Sequence, residues 1–160
     1  MYPTANDLSE KVRVETVRLL NARLADAIDL QTQVKQAHWN VKGPQFIALH
    51  KLFDDVNEAV EEYVDEIAER AVQLGGTAEG TARSIAKRST LAEYPPQAST
   101  GKEHVAALTA ALAAFGKNVR QAISDADRIG DVDTTDLFTE VSRGVDKWLW
   151  FVEAHSQAKE

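Results

Sequence analysis

Four stretches in which apolar residues return every three or four positions, most of them closed by glycine or proline, constrain this chain more than any other feature. From about Ser9 to Val41, the run Val14, Val17, Leu20, Leu24, Ile28, Val34, Ala37 and Val41 predicts one amphipathic helix of about 30 residues. Gly43-Pro44 ends it, since glycine accepts a left-handed cap and proline can open the next helix at its first turn. A second helix, from about Gln45 to Leu74, turns Leu49, Phe53, Val56, Val60 and Ile67 inward and stops at Gly75-Gly76. Residues 77–98 hold two prolines and one short apolar pattern, which predicts a connection with one short helix, long enough to cross between helix pairs. A third helix starts at a Ser99/Thr100 cap with Glu103, runs through Val105, Leu108, Leu112, Phe115 and Val119, and ends near Gly130. A fourth opens at Thr134 or Thr135 and carries Phe138, Val141, Val145, Trp148 and Val152. With no strand pattern and no repeat, the expectation is an all-α four-helix bundle filling residues 1–160 as a single domain.

Composition then removes whole classes of chemistry. Without cysteine there is no disulfide, zinc finger, iron-sulfur cluster or thiol nucleophile. A formal net charge of -7 disfavours a surface built for phosphate backbones and suits the attraction of cations. Charges interrupt every apolar run, and MYPTANDLSE lacks a positive leader segment, so a soluble, unexported protein with no membrane partner is expected. Its expected location is the cytoplasm, with association with the nucleoid also compatible.

The polar face of the second helix carries the pattern that suggests function. His50 and Asp54 stand one turn apart, and Asp65 and Glu69 repeat the spacing. Asp54 and Asp65 are eleven residues apart, which returns to within about 20° of the same face but advances about 16 Å along the axis. Ligand bonds to divalent ions span only about 2.0–2.2 Å, so the two pairs of one chain cannot hold one metal together. Two copies packed antiparallel about a two-fold axis near Ala59 and Val60 would bring the first pair of one chain to the second pair of the other, and the small Ala59 would permit a close crossing. His38, just before the Gly43-Pro44 reversal, would fold back beside His50. Two imidazoles and three carboxylates without sulfur suit iron(II) and iron(III), while zinc and manganese fit the same donor types. The bland alternative is a helical scaffold whose exposed acidic pairs bind nothing. No Glu-x-x-His or His-Glu-x-x-His motif is present, which argues against a metal site inside one bundle.

The run HWNVKGPQFIALHKLFDD, followed by DEIAERAVQLGG and the closing DKWLWFVEAH, closely resembles the Dps family, the ferritin-like DNA-binding proteins from starved cells. The resemblance covers nearly the whole chain. It implies a ferritin-like bundle with a short helix in the long middle connection, and a hollow dodecamer as the homo-oligomer. It implies a ferroxidase that oxidises Fe(II), preferably with hydrogen peroxide and otherwise with dioxygen, and stores the Fe(III) product, protecting DNA from oxidative damage. His38, His50 and Asp54 would be ligands from one chain, with Asp65 and Glu69 from its two-fold neighbour. Trp39 resembles the family's tryptophan near the iron site, where it serves as a redox neighbour or as a packing anchor.

The acidic stretch SDADRIGDVDTTD supplies candidates for the family's negatively charged three-fold pore, namely Asp131, Asp133 and Asp136, with Asp136 the best match. Val132 stands where related sequences often carry an acid. Arg83, Lys87 and Arg88 form the one compact basic cluster, MYPTANDLSE holds no lysine or arginine and the closing SQAKE holds one lysine, so direct DNA compaction is not inferred. The competing reading is a DNA-compacting nucleoid protein with secondary metal binding. His104 and His155 lie outside these motifs and are expected at the surface.

Overall fold

The first helix begins where Ser9 Oγ accepts a hydrogen bond from the Val12 amide at 3.4 Å, satisfying one of the amides a helix start leaves unpaired. The computed structural model describes residues 1–157, which form α1 (Glu10–Asn40), α2 (Phe46–Gln73), α3 (Ala82–Arg88), α4 (Gly101–Ile129) and α5 (Val132–Gln157). Helix α1 packs along α2, α4 packs along α5, and α1 against α4 joins the pairs, with α3 lying on α1. Between α2 and α4 the chain crosses from one pair to the other, as the length of that connection predicts. Lys159, the lysine of the closing segment, lies outside the described residues.

The apolar stripes meet in one core. Leu20, Leu24, Leu30 and Val34 of α1 face Phe53, Val56, Val60 and Ile67 of α2, with Leu108, Leu112, Phe115, Phe138 and Val141 filling the other half. Each such side chain stabilises the fold by roughly 1.5–3 kcal/mol through burial. Among the described residues no helix is long and apolar enough to cross a membrane.

The helix ends refine the sequence reading. Gly43 takes φ +112° and Pro44 lies outside α2, one residue before the cap at Gln45, so proline shapes the reversal without opening the helix. Thr100 and Glu103 form the expected capping box at α4. Its other end closes on Gly130 at φ +96°, where the amides of Gly130 and Asp131 both reach the Ala126 carbonyl. Helix α5 starts at Val132, not at Thr134 or Thr135. Asp131 supplies the cap, its carboxylate accepting from the Thr134 amide at 3.2 Å and the Thr134 hydroxyl at 2.7 Å.

Candidate metal centre

The Gly43-Pro44 reversal brings His38, near the end of α1, over His50 in the first turns of α2. Their rings stack with centroids 3.8 Å apart and planes 21° from parallel. The contact is reciprocal: His38 Nδ1 lies 2.8 Å from the His50 carbonyl, and His50 Nδ1 lies 2.8 Å from the His38 carbonyl. A carbonyl oxygen only accepts, so each Nδ1 must carry a proton and donate it. In its neutral state each imidazole is then the tautomer whose Nε2 lone pair is uncommitted, which is the form that ligates metals.

Asp54 stands one turn after His50, its side chain 44% exposed. Lys35 of α1 donates to Asp54 Oδ1 at 2.7 Å, and His38 Nδ1 lies 3.8 Å from the same oxygen. The hydrogen bond from Lys35 holds the Asp54 carboxyl below its ordinary range, and the two histidines reinforce the effect. A cation is thus already seated at this carboxylate. Helices α1 and α2 bring His38 against His50, as expected from the reversal, with Asp54 one turn after His50.

Asp65 and Glu69 occupy the same outward face about three and four turns after Asp54, both exposed. Among the described residues no three His, Asp or Glu side chains of one chain converge closely enough to hold a metal ion. Ala59 does not lie on this face. At 100° per residue it is about 130° away from the mean direction of the four site residues, and Val60 is buried in the core. The outward residues at the midpoint are Glu58 and Glu61, so the expected small residue at a close crossing is absent.

Glu69 also borders an open cavity of about 270 Å³ that it shares with Glu66, Arg70, Asp133, Asp136 and Glu140. Partial burial and the neighbouring Glu140, Glu62 and Asp65 raise the Glu66 carboxyl above its usual value. Two of the three pore candidates, Asp133 and Asp136, are exposed on this surface. The third, Asp131, is buried. Arg70 Nη2 donates to both of its oxygens at 2.8 and 3.0 Å, while Arg70 Nε donates to the Thr134 hydroxyl at 3.1 Å. Asp131 is therefore spent on joining α2 to α5 and is withdrawn as a pore residue.

Trp39 is 68% exposed and shares an open groove with Lys35, Gln36 and Tyr94, so it is not a core anchor within the protomer. Arg83, Lys87 and Arg88 lie on or at the end of α3, and Arg88 is ion-paired with Glu79. His155 is exposed, as expected. His104 is not: it is fully buried at the start of α4, with Nδ1 2.5 Å from the Tyr94 hydroxyl. Its sequence signal is its position four residues before Leu108, on the inward stripe of α4.

A family model described as a ferritin-like domain matches residues 17–159 of the chain. The DNA protection during starvation protein of Agrobacterium fabrum is 44% identical over 158 residues, covering 99% of this chain and 98% of that protein. The protein of the same name from Mycolicibacterium smegmatis is 34% identical over 155 residues, covering 97% and 84%. Among solved structures, the tetragonal form of Mycobacterium smegmatis Dps superposes with a TM-score of 0.91 at 33% identity, covering 98% of this chain and 95% of that one. DpsC from Streptomyces coelicolor gives 0.92 at 30% identity, covering 100% and 92%.

Proposed function

The chain belongs to the ferritin-like Dps family, and from that premise we propose that it oxidises Fe(II) at sites shared between two-fold related subunits and stores the ferric product inside a hollow dodecamer. The observation that carries this reading is the reciprocal His38/His50 contact, which engages both Nδ1 atoms and leaves both Nε2 atoms uncommitted, with Asp54 one turn after His50. An iron(II) substrate entering this half-site displaces the Lys35 ammonium from Asp54. The carboxylates neutralise the added charge as iron becomes ferric, and the sparse donor set leaves positions for the oxidant. Hydrogen peroxide, the preferred oxidant, takes one electron from each of two iron(II) ions and two protons from solvent, giving two ferric ions and two waters. Removing peroxide and iron(II) together is how such chemistry protects DNA in the cytoplasm.

The second half-site in this reading is Asp65 and Glu69 of the neighbouring subunit. His50 and Glu69 lie equally far from the point between Ala59 and Val60, as do Asp54 and Asp65. Ile47 and Val72, which are 64% and 56% exposed, lie on the same outward face and obey the same symmetry. An antiparallel pairing of two α2 helices therefore opposes an apolar residue to an apolar residue at each end and a ligand pair to a ligand pair between them. Such contacts support the crossing without the small side chain first expected there. Asp133 and Asp136, on the cavity that also borders Glu69, are proposed as entry residues for the cation.

Iron(II) is added anaerobically to the metal-free protein, peroxide is supplied, and ferric absorbance and retained iron are followed in the fraction of shell-like size. Rapid oxidation with iron co-eluting in that fraction is expected. Oxidation no faster than in buffer, or iron absent from the protein fraction, contradicts the proposal.

A further inference from the structure

The start of α4 is built against the reversal that carries both histidines. The Lys42 amide donates to the Ser99 carbonyl at 3.0 Å, forming an isolated bridge between Lys42 and Thr100. Gly101 lies so close to Leu49, the residue before His50, that an added Cβ would stand 2.7 Å from Leu49 Cδ1. One turn into the helix, His104 is fully buried and turned toward Asn40, the last residue of α1 and two positions after His38.

His104 is not an ordinary space-filling residue. Burying an imidazole costs free energy unless its nitrogens are engaged, and leucine would fill a comparable volume without that cost. Burial holds the His104 pKa below its ordinary value, so the ring is neutral, and burial raises that of the Tyr94 phenol, so the phenol keeps its proton. Tyr94 therefore donates to His104 Nδ1 at 2.5 Å, leaving the proton of His104 on Nε2. Nε2 faces the Asn40 carbonyl without completing a well-aligned hydrogen bond. Among the few buried polar side-chain atoms of the described residues without a completed partner, His104 Nε2 is the one beside the reversal that carries both histidines.

We propose that His104 is a positioning residue for the His38/His50 pair: held by the Tyr94 hydroxyl and packed with its Nε2 toward the Asn40 carbonyl, it seats the end of α1 against α4 and so sets the height at which His38 meets His50. The reciprocal 2.8 Å contacts depend on that height, because a slide of α1 along α2 lengthens both at once. This rests on the reading of His38 and His50 as metal ligands. It adds a residue that touches neither of them.

Cobalt(II) is titrated into assembled protein and followed by its visible absorption, with thermal unfolding measured in parallel. His104→Leu is expected to bind cobalt on the order of tenfold more weakly, the lower end of what outer partners contribute to metal affinity. His104→Gln is expected to stay within about twofold of wild type, because its amide can accept from Tyr94 and turn an N–H toward the Asn40 carbonyl as the neutral imidazole does. Tyr94→Phe removes one hydroxyl and little volume, and serves if the leucine variant does not assemble; roughly threefold weaker binding is expected, a partial loss of the same outer-partner effect. Lower melting temperatures with unchanged cobalt affinity in His104→Leu or Tyr94→Phe overturn the proposal, as does a glutamine variant no better than leucine. Wild-type protein that binds no cobalt, or whose cobalt binding survives His38→Ala and His50→Ala, overturns the metal reading and this proposal with it.

Discussion

The two ends of α2 display the same four-residue spacing of polar side chains and are built in opposite ways. At the first end, His50 is locked to His38 by two hydrogen bonds, and Asp54 already holds the Lys35 ammonium. At the second end, Asp65 and Glu69 project into solvent, and rigidity comes from their neighbour Arg70, buried against Asp131 and Thr134. One end is ordered by contacts within the chain, and the other leaves its carboxylates exposed. The difference teaches that identical spacing on one helix face need not mean two equivalent sites.

The comparison breaks most visibly if the support of the second end is removed. Arg70→Met leaves the Asp131 carboxylate buried without its partner, and a loss of about 3–5 kcal/mol is expected in chemical denaturation. A loss below about 1 kcal/mol would mean that this end is held by packing alone.

Next in size are the proposed ligands. Glu69→Ala is expected to slow iron(II) oxidation by more than about tenfold, as does His50→Ala, since losing a ligand costs at least as much as losing an outer partner. Because Glu69 is exposed, its replacement should alter stability by no more than about 0.5 kcal/mol. Parallel kinetics and denaturation separate the two effects. Normal oxidation by Glu69→Ala would make the second end a solvated surface.

Smaller still is the effect of Lys35. Its pair with Asp54 is partly exposed, so it is worth no more than about 1 kcal/mol. Lys35→Met should therefore tighten metal binding at neutral pH by up to about fivefold, the same energy returned as affinity. Weaker binding would mean that Lys35 organises Asp54 instead of competing for it.

The smallest effect is in pH dependence. Asp54 is depressed first by the Lys35 hydrogen bond and then by the histidines, so its folded pKa lies below its unfolded one. The stability this supplies is present above the unfolded carboxylate pKa and is lost as pH falls through the lower, folded value. The stability difference between wild type and Lys35→Met should accordingly persist at neutral pH and fade only in the acid range. A difference that disappears between pH 6 and 7 would assign it to a histidine.

Much of this was legible in the sequence, for identifiable reasons. The α1, α2 and α4 boundaries follow from apolar periodicity, the Thr100/Glu103 box and the glycine at residue 130, all of which act locally. The His38/His50 meeting follows from one reversal between two antiparallel helices. What escaped depends on partners far along the chain. Asp131 reads as one more solvated acid until Arg70, sixty-one residues earlier, claims it and moves the start of α5. His104 reads as a surface residue unless its place on the inward stripe of α4 is weighed above its polarity. Ala59 was misassigned by phase alone, since being midway along a helix says nothing about which side a residue faces.

The shared site is the central claim, and subunit mixing tests it most directly. His50→Ala and Glu69→Ala proteins are dissociated, mixed in equal amounts and reassembled, and incorporation of both chains is verified by mass. Each alone should be inactive. In a mixed pair, His50 of the Glu69→Ala chain meets Glu69 of the His50→Ala chain, so random pairing should restore about one quarter of wild-type iron(II) oxidation. Verified mixed shells that remain as inactive as their parents would contradict a site built from two chains.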